Sequence, residues 1–195
     1  MSTPDSLGPI MISGANVALG PVREELVPFY HELRNDLVVQ KTTGTSLMPN
    51  SMVMTARKMA EGGAIGPDHA PFTVYRIDTW EPIGLVGLRD ISHFDRVAEF
   101  GITLHRNHLG QGFGTETAKL VLAYGFQMLN LHSVFLTTDG SNIRGQRAYQ
   151  KAGFREVGRF REHCIVDRER YDLICMDCLA SEFVMPEPLR WGPPE

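Results

Sequence analysis

The sequence contains no apolar run approaching the roughly 20 residues needed to cross a bilayer. Its opening, Met1-Ser2-Thr3-Pro4-Asp5, lacks the basic and then hydrophobic stretch of a secretory signal, so a cytoplasmic protein is expected. Positive charge is also short. Against 19 Lys and Arg stand 23 Asp and Glu, a net charge of −4, which leaves no basic surplus for gripping nucleic acid. Cysteine is scarce as well: three residues cannot all pair, and Cys175 and Cys178 lie three apart in a strand-like run, which points them to opposite faces and argues against a redox pair. Zinc would need further ligands such as His163 and Cys164, and no metal is expected. No internal repeat and no nucleophilic Cys or Ser motif appears. With 43% hydrophobic content over 195 residues, one globular domain with a full core is expected over 15–184. It lies between a flexible tail, 1–14, and a Pro-rich tail, 185–195.

Periodicity divides the domain into alternating elements. A short strand near Asn16 to Leu19 ends at Gly20-Pro21, and Arg23 to Leu33 reads as a helix with Leu26, Phe29, Tyr30 and Leu33 on one stripe. A second helix fits Met52 to Ala60. Between them, Asn35 to Ser51 reads as a polar connection long enough to carry specificity. Strand-like runs at Phe72 to Ile77, Ile83 to Leu88 and Val97 to Leu104 form an antiparallel meander. The helix from Thr115 to Asn130 presents Ala118, Val121, Leu122, Gly125, Phe126 and Leu129 at helical spacing, a broad face for covering a sheet. A strand from Val134, a helix from Asn142 to Ala152, and a final pair over Phe154 to Val166 and Tyr171 to Leu179 complete a mixed α/β sheet.

Between the strand ending at Leu104 and the helix from Thr115 the chain reads Leu109-Gly110-Gln111-Gly112-Phe113-Gly114. Strand, glycine turn and helix make an anion cradle. Glycines let backbone N–H groups approach a ligand, and the helix start adds unpaired donors and the positive dipole end. An ATP-type phosphate loop needs Lys and then Ser or Thr after its last glycine, whereas Gly114 is followed by Thr115-Glu116. A dinucleotide fingerprint needs glycine where Thr115 stands, and about 100 residues precede the motif where such a domain would normally begin.

Downstream come Asn142, Tyr149, Lys151 and the helix stop Gly153-Phe154. Together with Gly112 and Gly114, these residues resemble the signature of the GNAT superfamily of acyl-CoA N-acetyltransferases, with Leu109 standing where that family prefers Gln or Arg. The run from Ala98 to Leu179 is most similar to the spermidine and ribosomal-protein N-terminal acetyltransferases, on Ala123-Tyr124-Gly125-Phe126, Leu129-Asn130-Leu131 and Gly153-Phe154. The resemblance implies a GNAT-like, largely antiparallel central sheet of about six or seven strands flanked by about four helices. It implies acetyl-CoA as co-substrate, a homodimer as a common assembly, and direct acetyl transfer to an amine with neither a covalent enzyme intermediate nor a metal.

Residue roles follow from the same resemblance. The acetyl group is expected along Ile102, Thr103 and Leu104, and the rest of the cofactor at Leu109, Gly110, Gln111, Gly112, Phe113, Gly114 and Thr115, with Asn142 and Arg144. Arg147 and Lys151 are further candidates to screen its phosphates. Tyr149 falls where the family places its general acid for the departing sulfur, and a phenol is neutral and able to donate at pH 7. A base is also needed, because roughly one in two thousand molecules of an amine with pKa near 10.4 is neutral at pH 7. Glu99, in an Ala-Glu-Phe segment that matches the spermidine-type enzymes, is the first candidate, with His93, His105 and His108 as alternative relays.

The acceptor stays open between a small-molecule amine, of polyamine or amino-sugar antibiotic type, and a protein N-terminus. A non-catalytic acyl-CoA sensor is the alternative from another class. Spermidine-type enzymes carry acidic residues around their first two helices, whereas Asn35 to Ser51 offers only Asp36 and contains Lys41. Thr42, Thr43, Thr45 and Ser46 are polar residues available to any of these acceptors.

Overall fold

The computed structural model describes residues 8–43, 48–63 and 67–194. Among the described residues nine strands form one sheet: β1 (Ile12–Ser13), β2 (Val17–Pro21), β3 (Ala70–Arg76), β4 (Pro82–Ser92), β5 (Val97–Leu104), β6 (Ser133–Asp139), β7 (Arg155–Val166), β8 (Glu169–Leu179) and β9 (Arg190–Trp191). Their order across the sheet is β7-β8-β6-β5-β4-β3-β2-β1-β9, and every pairing is antiparallel except β5 with β6. Five α-helices among the described residues accompany it: α1 (Val27–Asn35), α2 (Leu37–Thr43), α3 (Met52–Gly63), α4 (Phe113–Gln127) and α5 (Ile143–Ala152).

The expected mixed, largely antiparallel architecture is present, with two corrections to its inventory. Nine strands replace six or seven because β1 and β9, two residues each, pair with one another inside spans expected as tails. Neither carries a periodic pattern of its own; each exists through its partner. Five helices replace four because α2 lies within the stretch expected as a polar connection. Asp36 starts it, its carboxylate accepting from the backbone N–H groups of Val38 at 2.9 Å and Val39 at 3.3 Å.

Because successive strand residues point to opposite faces, two contacts from β3 place the helical layers. Thr73 Oγ1 lies 2.6 Å from the Tyr30 hydroxyl of α1, whereas the Phe72 ring meets Tyr124 of α4 edge-on at 5.0 Å. Thus α1 covers one face of the sheet and α4 the other. Helix α4 sits close to its face at Gly125, where an added Cβ would lie 3.1 Å from Leu88 and 3.3 Å from Leu131. The main core, including Val86, Leu88, Phe100, Leu120, Val121 and Val134, fills the α4 side.

Strands β5 and β6 run side by side only from Val97–Ser133 to Glu99–Phe135. Beyond that point they separate, so β5 from Phe100 to Leu104 keeps its β4 partner but has none toward β6. A strand edge without a partner offers backbone N–H and C=O groups to a ligand. Cavities lie beside that gap in the sheet.

Candidate functional site

Two cavities open on either side of the gap. The first, about 440 Å³, is lined by Ile102, Thr103 and Leu104 of β5, the turn residues Leu109, Gly110, Gly112, Gly114 and Thr115, and the α5 face carrying Asn142, Arg144, Arg147, Tyr149 and Lys151. The second, about 320 Å³, is lined by Leu33 and Arg34 of α1, Lys58 and Met59 of α3, His69, and β4 and β5 from Leu85 to Arg89 and from Phe100 to Thr103. Ile102, Thr103 and Tyr149 line both. A molecule in each cavity would meet its counterpart at this strand and this phenol.

The glycine turn has the backbone geometry to receive an anion. Gly110 and Gly112 have φ of 77° and 90°, left-handed values that cost residues with a Cβ, and Gly112 caps α4. An acid in the first turn of α4 would repel a phosphate, yet Glu116 turns away. It accepts from the Asn16 backbone N–H at 2.7 Å, the Asn16 side chain at 2.8 Å and Val17 N–H at 3.2 Å. Thr115 leans on α5 instead, its hydroxyl donating to the Ala148 carbonyl at 3.4 Å.

Helix α5 supplies the charge. Arg144, Arg147 and Lys151 recur at helical spacing on the cavity side, and none makes an ion pair with a described carboxylate. Asn142 is first of all a cap: it is buried, accepts from Gly145 N–H at 3.0 Å and donates to Thr138 Oγ1 at 3.1 Å. Its place in the cavity wall follows from that role. Of the turn residues, Gln111 and Phe113 do not line the cavity. Gln111 donates to the Asn107 carbonyl at 2.8 Å, and the Phe113 ring carries the Arg76 guanidinium at 5.5 Å.

Tyr149 is held between Phe100 and Phe154, with ring centroids at 6.0 and 6.1 Å. Burial pushes its phenol up to about 12, so it keeps its proton through the physiological range. Glu99 is placed differently. It faces Arg89 across the β4–β5 pair, and its two oxygens accept from Arg89 Nε at 2.9 Å and Nη2 at 2.5 Å. Arg89, not Glu99, lines the second cavity.

The histidines named from sequence also lie away from the second cavity. His93 Nε2 is 2.6 Å from the Pro67 carbonyl, while His105 packs against His108 with ring centroids 6.0 Å apart. His108 borders the first cavity, where burial lowers its pKa. The histidine that does line the second cavity is His69, with Nδ1 3.1 Å from Asp68 Oδ1.

Sequence patterns did not single out Arg34, Lys58 or His69. They converge from α1, α3 and the residue before β3, and no local spacing signals such a meeting. Asp36 is committed elsewhere: besides capping α2, it pairs with Arg106. Burial alone would raise its pKa, but the hydrogen bonds from Arg106, Val39 and Val38 outweigh it and hold the carboxyl below the usual range. Thr45 and Ser46 lie outside the described residues.

Comparison with known proteins shows the family and the fold. Residues 16–155, well over half of the chain, match the family described as acetyltransferase (GNAT) domain. Spermidine N(1)-acetyltransferase of Escherichia coli is 35% identical over 104 residues, 53% of this chain and 56% of that enzyme, so the chain spans a little over half the length of this curated relative. A putative ribosomal N-acetyltransferase of Bacillus subtilis, YdaF, is 25% identical over 100 residues, 51% of this chain and 55% of that protein. Among solved structures, spermidine N-acetyltransferase from Vibrio cholerae in complex with CoA and spermine superposes with a TM-score of 0.78 at 25% identity, covering 85% of this chain and 96% of that one. The chain belongs to the GNAT acetyltransferase family.

Proposed function

We propose that this protein is an acetyl-CoA-dependent N-acetyltransferase that moves the acetyl group to a primary amine of a small molecule by direct attack. The observation that carries the reading is the pair of cavities sharing Ile102, Thr103 and Tyr149. The first cavity fits the cofactor by its chemistry: open glycines on a helix start, three cations for phosphates that pair with no described carboxylate, and an unpaired strand edge for the pantetheine amides.

When bound, acetyl-CoA supplies an acetyl group activated as a thioester. The chain orients it through the backbone of Ile102 to Leu104, whose donors stabilise charge at the carbonyl oxygen. A C–N bond forms as the C–S bond breaks, and the Tyr149 hydroxyl gives a hydrogen bond or proton to the sulfur. The amine must shed a proton in turn. Glu99, held bidentate by Arg89, is poorly placed to accept it, and its proposed part is to fix Arg89 in the cavity wall. His69, oriented by Asp68, is a better-placed acceptor.

Acetyl-CoA alone tests the assignment. At a hundredfold excess over its Kd a ligand of the folded state adds about 2.7 kcal/mol. For a chain of this size that raises the melting temperature by roughly 5 to 10 °C. Unchanged melting at saturating acetyl-CoA would contradict the cofactor assignment.

A further inference from the structure

The acceptor cavity has an unusual charge. Among the described residues its lining holds Arg34, Lys58, His69 and Arg89, and no carboxylate. Arg89 is neutralised by Glu99 and His69 faces Asp68, but Arg34 has no counter-charge among the described residues: its Nε is buried without a hydrogen-bond partner, and burial alone lowers its pKa. Among the described residues Lys58 Nζ meets the neutral Asn50 side chain, at 3.1 Å, and no carboxylate. Asp36, the one acid of the stretch Asn35 to Ser51, is occupied by Arg106 and by the start of α2.

A polyamine brought here would set positive charge against Arg34 and Lys58, with no carboxylate among the described lining residues to pair it. Conversely, a guanidinium whose buried Nε lacks an acceptor gains charge-assisted hydrogen bonds from an oxyanion, for which its planar fork is shaped. Resting on the acetyltransferase reading above, we infer that the acceptor is a primary amine that also carries an oxyanion, a carboxylate or a phosphate-type group, with Arg34 and Lys58 receiving the anion while the amine points toward Thr103 and Tyr149.

The test compares amines that differ in that group alone. With acetyl-CoA saturating, kcat/KM is measured for ω-aminocarboxylates of several chain lengths, the matching aminoalkylphosphonates, the corresponding ω-amino amides, and spermidine. The expected result is that an anionic amine exceeds its neutral amide at least tenfold at one chain length, with spermidine below both; the carboxylate and phosphonate arms separate the two anions. Arg34→Gln should bring the anion-to-amide ratio close to one, chiefly through KM. Lys58→Gln, at an exposed position that the fold does not depend on, should lower the ratio in part. Spermidine or an amide matching the anionic amines would overturn this inference while leaving the acetyltransferase reading standing, as would an unchanged ratio in both variants. No amine-dependent turnover with any of them would overturn both.

Discussion

Tyr149→Phe should reduce turnover by about 10²- to 10⁴-fold, the usual worth of a positioned general acid, with acetyl-CoA affinity near wild type. The substitution keeps the ring between Phe100 and Phe154, so packing is preserved and only the hydroxyl is lost. The pH dependence carries a second signature. A phenol that burial holds at about 12 stays protonated throughout the neutral and mildly alkaline range, so no falling limb between about pH 7 and 10 should come from this residue. Turnover should instead rise with pH there, as more of the amine is neutral. Glu99→Gln is the companion variant: with the carboxylate assigned to Arg89, its pH profile should run parallel to wild type. A Tyr149→Phe enzyme with wild-type turnover would return the residue to a packing role, and a Glu99→Gln defect confined to low pH would restore Glu99 as the base.

Gly112→Leu should remove the stabilisation that acetyl-CoA confers. At φ of 90° a Cβ-bearing residue is strained, a cost of about 1 to 2 kcal/mol, and the space that the new side chain enters is the open cavity itself. The variant protein should therefore melt a few degrees lower than wild type, yet show no response to acetyl-CoA at concentrations that saturate the parent. A preserved ligand-dependent shift would mean that the cofactor does not approach this turn.

The parts of this molecule legible in the sequence are those with local causes. Strand β5, the glycine turn and α4 follow one another within a single stretch, and each is marked by alternation, by glycine or by helical periodicity. Tyr149 and Asn142 sit on one short helix that ends at Gly153 in a left-handed conformation, a stop signal readable from the residue type. Helix α2 was within reach: Asp36 before Leu37-Val38-Val39 is an N-cap followed by an apolar run, hidden by the polar residues after it. By contrast, β1 and β9 are joined across almost the whole chain, Ile12 to Trp191, and neither has a pattern alone. The same holds for the acceptor cavity. Arg34 reads as an ordinary charged residue near a helix end, and only the packing of α1 and α3 on the β4–β5 face gives it a site. Glu99 reads as a free strand carboxylate until the β4 register sets Arg89 opposite it.

The most direct measurement of the central claim, that two substrates meet at Thr103 and Tyr149, is thiol release from acetyl-CoA followed alongside the mass of the amine. The account predicts release that rises with amine concentration, saturates, and yields one acetylated amine per thiol. Acetyl-CoA that binds and stabilises the protein while thiol release ignores every primary amine would contradict it.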